Sequence, residues 1–231
     1  MSKNKTTKNN ITNITYEQIK ENPEIKTFIQ SGNEVLGILG YTDHSRVHAI
    51  KVAETAGKIL KELGYSLKEI ELAKIAGYMH DIGNSVNRHD HAHTGAIMAF
   101  QILRELGMDD KDTAVIVSAI GNHDEKTGTA VTPVSAAVIL ADKTDVRRNR
   151  VRNKDLANFD SHDRVNYAAI ESRVTINKEK GTVHLDINLD ENISSILDYF
   201  EIFLQRMLMC RRACELLNAK FKLTANGNKM A

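Results

Sequence analysis

The residue types that bind metal ions are concentrated in one stretch of this chain. Of the 9 histidines, seven lie between residues 44 and 123. These are His44, His48, His80, His89, His91, His93 and His123. Two carboxylates accompany them, Asp81 directly after His80 and Asp142 in a later apolar segment. Neutral imidazole and carboxylate suit divalent iron, manganese, cobalt and zinc, so the pattern predicts a transition-metal site.

Helices must position these side chains, and the spacing of apolar residues predicts five helices in this part of the chain. They cover about residues 42–63, 66–80, 91–106, 109–123 and 132–142. Ser66 with Glu69 forms a capping-box pattern, and Thr132 before Pro133 marks another helix start. Most of the histidines then fall at helix ends, where several segments can converge on one cavity. One histidine at a helix end is more often a capping residue than a ligand, but a series of them favours ligands.

His80 and Asp81 are the most informative pair because they are adjacent within an apolar run. On a helix, adjacent side chains point about 100° apart. Such a pair can bracket one metal ion or bridge two, and a bridging carboxylate is a common way to hold two cations a few ångströms apart.

The ordered set resembles the H…HD…D signature of the HD-domain metal-dependent phosphohydrolases. The resemblance rests on His48 before AIKVA, on His80 and Asp81 in AGYMHDIGN, and on Asp142 in ILADKTD. It covers roughly residues 40 to 150. It implies that His48, His80, Asp81 and Asp142 surround one divalent metal ion.

Two further histidines extend the resemblance to the binuclear branch of that family. His91 stands four residues before Gly95 in HAHTGAIMAFQIL, and His123 lies in AIGNHDE. The branch implies a second metal ion held by His91, His123 and a bridging Asp81. Two neighbours are alternative ligands to His91, namely His89 and His93. The implied cofactors are two divalent transition-metal ions, iron or manganese, with cobalt, nickel and zinc as alternatives.

Such a centre implies hydrolysis of a nucleotide-like phosphoester or phosphoanhydride by metal-activated hydroxide. A divalent cation lowers the pKa of bound water towards about 7 and neutralises charge on a phosphoryl group. His80, Asp81 and Lys143 are the candidate catalytic residues. Two other classes stay open, a diiron HD-type oxygenase with a similar ligand set and a non-catalytic nucleotide-sensing module.

Basic residues after Asp142 are candidates for binding a phosphorylated substrate. The run comprises Lys143, Arg147, Arg148, Arg150 and Arg152. Arginine forks match phosphate oxygens, although the run can equally complement the C-terminus of the preceding helix. Arg147 and Arg148 are taken as substrate-binding, together with His44 and Arg46 beside the first ligand.

The C-terminal part has a different pattern. A hairpin around Lys180 and Gly181 is predicted by the alternating pattern of ESRVTINKEKGTVHLDINLD. The segment that follows predicts a long amphipathic helix, and FKLTANG predicts a third short strand. FDSHDRVNYAA is interpreted as a connecting segment, and residues 16–38 as helical with breaks at Pro23 and at 31–33. The expected fold is mainly α: a disordered tail (1–13), an HD-type helical bundle (14–160) and a small α+β extension (161–231).

Composition restricts the remaining function classes. The net charge of +1 argues against dedicated nucleic-acid binding. A signal peptide and a membrane span are not expected, and a cytoplasmic protein fits this pattern. Cys210 and Cys214, four residues apart, are interpreted as core-facing thiols without a disulfide. The wide apolar side of the long helix leaves a homodimer open.

Overall fold

The computed structural model describes residues 14–153 and 159–231, so the predicted tail at residues 1–13 lies outside the described part. The helices are α1 (Tyr16–Glu21), α2 (Pro23–Ile38), α3 (Arg46–Leu63), α4 (Leu67–Met79), α5 (His91–Glu105), α6 (Asp110–Gly121), α7 (Pro133–Lys143), α8 (Ser161–Ala168) and α9 (Ile196–Leu216). The strands are β1 (Ala169–Asn177), β2 (Thr182–Leu189), β3 (Lys220–Ala225) and β4 (Asn228–Lys229). Short 3-10 helices cover Ile82–Ser85 and Arg148–Arg150. The mainly helical fold with a small C-terminal α+β part is as predicted.

Local capping explains where the predicted helices begin. The Ser66 side chain accepts from the backbone N–H of Glu69, and the Glu69 side chain bonds back to Ser66, which confirms the capping box of α4. Thr132 caps α7 with Pro133 at its first position. Helix α3 begins at Arg46, later than predicted, because Ser45 takes the N-cap position in an extended conformation.

Two segments for which the sequence predicted no helix are helical in the structure, and the predicted break at residues 31–33 was wrong. Helix α2 runs without a break through residues 31–33. Gly32 serves packing there, since a Cβ at this position would lie 3.1 Å from the backbone nitrogen of Ser85. The segment interpreted as a connection forms α8, whose N-cap Asp160 accepts from the backbone N–H of Asp163.

Helix α7 lies at the centre of the main core. Its residues from Val134 to Ala141 are all buried, and it packs against α3, α4, α6 and α9. The main core also contains Met209, Cys210 and Cys214 from α9, and both cysteines are free and buried, as predicted. The apolar packing is therefore continuous across residue 160, where the sequence pattern places a boundary between domains.

The sheet has the strand order β1-β2-β3-β4. Strands β1 and β2 form the predicted antiparallel hairpin, with Asn177 paired to Thr182. The predicted third strand, β3, pairs parallel to β2 because α9 provides the crossover between them. A second core between sheet and helix includes Leu185, Ile187, Tyr199 and Phe203, so much of the apolar side of α9 is covered within the chain itself. Of the helices in the described ranges, none has the length and apolarity that crossing a bilayer requires.

The turn after Asp81 depends on close packing of Gly83 against the start of α5. A Cβ on Gly83 would lie 2.1 Å from the carbonyl oxygen of His91 and 2.5 Å from the backbone nitrogen of Gly95. We expect Gly83→Ala to lower the free energy of unfolding by about 2–3 kcal/mol, because backbone atoms must move apart. Urea unfolding monitored by circular dichroism measures this.

The matched control is Gly121→Ala at the end of α6. A Cβ there meets only the Ala96 side chain, at 3.6 Å, so its stability should equal that of the wild type or exceed it by up to about 1 kcal/mol. Equal stabilities for the two variants would contradict the packing argument.

Candidate metal centre

Several helix ends bring the predicted ligands together. His48 lies in the first turn of α3, His80 is the C-cap of α4, His91 begins α5, and His123 follows α6. The four histidines are buried. Asp81 directly follows His80, and Asp142 lies in the last turn of α7. The structure therefore gathers all six predicted ligands in one place.

Asp81 lies between two pairs of histidines and directs one oxygen to each. Its Oδ2 is 3.1 Å from Nε2 of His80 and 3.7 Å from Nε2 of His48. Its Oδ1 is 3.5 Å from Nε2 of His91 and 3.8 Å from Nε2 of His123. We call His48 and His80 the first pair, and His91 and His123 the second pair.

Further contacts complete each half of the cluster. Asp142 Oδ1 lies 3.5 Å from Nε2 of His48 and 3.7 Å from Nε2 of His80. In the second pair, the two Nε2 atoms are 3.2 Å apart. Ligand atoms held about 2.0–2.2 Å from one metal ion lie roughly 3–3.6 Å from one another, so these spacings fit a cation in each half.

Hydrogen bonds on the other ring nitrogen fix the orientation of each histidine. Nδ1 of His80 lies 2.8 Å from the carbonyl oxygen of Gly77, and Nδ1 of His91 lies 3.1 Å from that of Arg88. Nδ1 of His123 lies 2.6 Å from the carbonyl oxygen of Ile120. An Nδ1–H that donates to a carbonyl leaves Nε2 as a lone-pair donor to a metal.

The two histidines of the first pair each have a buried ring nitrogen without a hydrogen-bond partner in the described part of the chain. Nε2 of His48 and Nε2 of His80 are buried and have no hydrogen-bond partner among the described residues. Buried polar atoms are rarely left unpaired. A divalent cation bound to both nitrogens and to Asp142 supplies the partner that each lacks, so the residues present fit a metal ion.

The charge states of Asp81, Asp142 and His91 also suit metal binding. Although burial opposes it, His80 and His123 hold the pKa of Asp81 well below its usual range. Burial also acts to raise the pKa of Asp142, but Lys143 and the first pair of histidines hold it well below its usual range. Burial lowers the pKa of His91 to about 4, and His123 adds to this effect. At neutral pH both carboxylates are therefore ionised and His91 is neutral.

The structure distinguishes His91 from its neighbours. His91 is buried and faces Asp81, whereas the His93 side chain is mostly exposed and lies 3.8 Å from Asp90. His89 is exposed at the cavity rim. Of the three candidates, only His91 reaches the cluster.

Comparison with known proteins agrees with this geometry. The sequence profile of the HD domain matches residues 46–163, which include all six clustered residues. The chain belongs to the HD-domain family. HD domains bind divalent metal ions, and the clusters of this HD domain offer suitable ligands.

Several relatives were found. An uncharacterized protein, MJ1020, of Methanocaldococcus jannaschii is 32% identical over 165 residues, 62% of this chain and 63% of that protein. Ribonuclease Y of Enterococcus faecalis is 34% identical over 112 residues, 48% of this chain and 20% of the nuclease. The crystal structure of a predicted HD superfamily hydrolase from an uncultured Thermotogales bacterium is 25% identical, with a TM-score of 0.42, covering 54% of this chain and 67% of that one. The chain therefore spans under two thirds of the first relative and about a fifth of the nuclease.

Asp145 is a functional residue that sequence reasoning missed. Its buried Oδ2 lies 2.8 Å from Nδ1 of His48, so a buried carboxylate orients this ring. Arg147 binds both oxygens of Asp145, at 2.6 and 2.9 Å. Burial acts to raise the pKa of Asp145, but His48 and Arg147 hold this pKa well below its usual range. Only the spacing ADKTD, with Asp145 three residues after Asp142, could have indicated it.

Three predicted substrate-binding arginines do not line the cavity beside the cluster. Arg147 is held by Asp145. Arg148 stacks on the Tyr167 ring at 4.6 Å and donates to the Tyr167 carbonyl. Arg46 donates to the hydroxyl of Tyr78 and to Glu21. All three are therefore engaged by groups of the same chain, which the pattern of basic residues alone does not show.

Other residues line this cavity, which has a volume of about 790 Å³. Of the remaining predicted residues, His44 and Lys143 belong to its wall. Lys143 is buried, with Nζ 2.8 Å from Asp142 and 2.6 Å from Glu125. Arg150, a member of the predicted basic run, also lies in the wall. The wall further includes residues that sequence reasoning did not place there: Arg88, Glu125, His162, Asp163 and Arg206.

Replacing His91 tests the second half of the cluster. We expect His91→Ala to bind one metal ion fewer per chain than the wild type, because Asp81 and His123 alone provide too few ligands. Elemental analysis of anaerobically purified protein measures this. His93→Ala is the matched control and should leave the metal content unchanged; an unchanged content in His91→Ala would contradict the assignment.

Replacing Asp145 tests the orientation of His48. Asp145→Asn should weaken metal affinity by about 10- to 100-fold, since a partner that orients a metal-binding histidine typically contributes this much. Titration calorimetry with Mn²⁺ measures the affinity. Asp90→Asn, at an exposed position, is the isosteric control; equal affinities for both variants would show that Asp145 does not act through His48.

Proposed function

We propose that this HD-domain protein is a metal-dependent phosphohydrolase that cleaves a nucleotide-like phosphoester or phosphoanhydride with two divalent transition-metal ions. The observation that carries the proposal is Asp81, whose two oxygens face separate pairs of histidines. That arrangement suits a carboxylate shared by two cations, and two cations are a common means of stabilising both the attacking and the leaving oxygen at phosphorus.

The residues divide into two ligand sets. His48, His80 and Asp142 would hold one ion, His91 and His123 the other, and Asp81 would contribute to both. Bound divalent ions would supply a water of lowered pKa and would neutralise charge on the phosphoryl group.

Groups beside the ligands have their own tasks. Burial acts to lower the pKa of Lys143, but the carboxylates of Asp142 and Glu125 raise it. Lys143 therefore stays protonated. It holds Asp142 from the side away from the histidines. Burial holds the pKa of His44 well below its usual range. Because Nδ1 of His44 lies 2.7 Å from the carbonyl oxygen of Thr42, Nε2 remains as the ring's acceptor for a water or a substrate hydroxyl.

Two observations support the substrate class. The cavity of about 790 Å³ lies within the usual size range of small-molecule sites. In addition, several relatives bear the name ribonuclease Y, and RNA is itself a chain of nucleotide phosphoesters. Since the match covers only part of those nucleases, the substrate class extends to this chain as a proposal.

The test is hydrolysis by protein purified without oxygen and loaded with Mn²⁺ or Fe²⁺. We expect metal-dependent turnover of bis(p-nitrophenyl) phosphate or of a nucleotide from a panel, and loss of the activity on chelation. Asp81→Asn should lower kcat/KM by about 1,000-fold or more, because a neutral amide would replace the shared charged ligand. His93→Ala is the control and should retain full activity.

Other outcomes would identify the alternative classes. A fully metal-loaded protein that hydrolyses no member of the panel would contradict the proposal. Oxygen consumption by such a protein with two irons would indicate an oxygenase, and nucleotide binding without turnover would indicate a sensor.

A further inference from the structure

A cation from the C-terminal part of the chain reaches the metal-centre cavity. Arg206 lies on α9, beyond the residues 46–163 that match the HD domain, and it lines the same cavity as Asp81 and Asp142. Phe203, one turn earlier on α9, also lies in the cavity wall. The C-terminal extension therefore contributes a cationic side chain to the cavity wall, in addition to Arg88 and Arg150 of the HD domain.

Two contacts hold the Arg206 guanidinium group in place. Its Nε donates to Glu125 Oε1 at 3.1 Å, and its central carbon lies 4.7 Å from the centre of the Phe203 ring. The two terminal nitrogens make no hydrogen bond to any described residue, and the side chain is 27% exposed. Parallel donors of this kind match two oxygens of a phosphate group.

A chain of ion pairs joins Arg206 to the proposed metal ligands. Glu125 Oε2 binds Lys143 Nζ at 2.6 Å, and Lys143 Nζ binds Asp142 Oδ2 at 2.8 Å. The other oxygen of Asp142 faces the first pair of histidines. If Asp142 is committed to a metal ion, Glu125 must balance both Lys143 and Arg206. Among these four groups one positive charge is then left over beside the Arg206 fork, where a nearby anion would be stabilised.

A second arginine of the wall, which is buried, is more fully engaged. Arg150 donates from Nε to the carbonyl oxygen of Asp43 and from Nη1 to that of Asp145. It therefore joins the loop before α3 to the segment after α7. Arg206 has only one such contact, through Nε, and is better placed to bind a ligand with its fork.

We propose that Arg206 binds a phosphate group of the substrate and thereby makes the C-terminal extension a determinant of which phosphoesters enter the metal centre. This inference rests on the proposed function, because the proposed substrate is what makes phosphate the expected ligand of Arg206. It assigns to the extension a part in substrate recognition in addition to packing.

The probe is inorganic phosphate, titrated into the full-length, Mn²⁺-loaded protein and followed by calorimetry. We expect Arg206→Ala to weaken phosphate binding by about 10- to 100-fold, in line with the loss of a charge-assisted hydrogen-bonding pair. Arg206→Lys should recover part of the affinity, because it keeps the charge without the fork. Arg211→Ala, at an exposed position on the same helix, is the control and should bind phosphate like the wild type.

Glu125→Gln separates phosphate binding from a structural role. This variant removes the ionic partner of Arg206 but keeps the guanidinium charge, so phosphate affinity should stay within about threefold of the wild type, which is about 0.7 kcal/mol. Metal content and the urea midpoint are measured for every variant. Equal losses of phosphate affinity in Arg206→Ala and Glu125→Gln would show that Arg206 only supports Glu125, and would overturn the inference.

The binding experiment does not depend on turnover. Absence of phosphate binding by the wild type, or equal binding by Arg206→Ala and Arg211→Ala, would overturn the inference even if the protein hydrolyses a phosphoester. Conversely, a protein that hydrolyses nothing but shows the expected phosphate affinities would contradict the proposed function and leave the role of Arg206 supported.

Discussion

The division of one carboxylate between two pairs of histidines is the constraint on which the rest of the structure depends. Asp81 directs Oδ2 to His80 and Oδ1 to His91, which requires the end of α4 and the start of α5 to lie side by side. A buried carboxylate is costly unless charges or donors surround it. Close contact between Gly83 and Gly95 lets the two segments approach, so the packing of small residues and the chemistry of the site are parts of one arrangement.

Much of this arrangement could be predicted because its signals are local. Ser66 and Thr132 mark helix starts through contacts with residues three positions away. The Lys180-Gly181 hairpin follows from alternating strands around a turn. The clustered residues could be predicted because the order and helical setting of the H…HD…D pattern are preserved in one stretch of sequence, and each of those residues lies at or next to a helix end.

The remaining features depend on contacts between distant parts of the chain. Asp145 meets His48 across 97 positions, and Arg206 meets Glu125 across 81, so neither contact can be derived from a local sequence pattern. The run of arginines misled for a related reason. Charge density along a sequence does not show which cations are bound by carboxylates and carbonyls of the same chain, as Arg147 and Arg148 are. Gly32 shows the same limit for the backbone, because its helix continues where local propensity predicts a break.

Helix α9 takes part in both apolar cores. Its later residues, including Met209 and Ala213, join the core around α7, and its earlier residues, including Tyr199 and Phe203, join the core under the sheet. Cooperative units of a protein follow shared buried contacts of this kind. The sheet can therefore hardly open on its own, since detaching it would pull α9 from α7 and leave an apolar helix in water. A domain boundary drawn from sequence patterns need not be a boundary of folding.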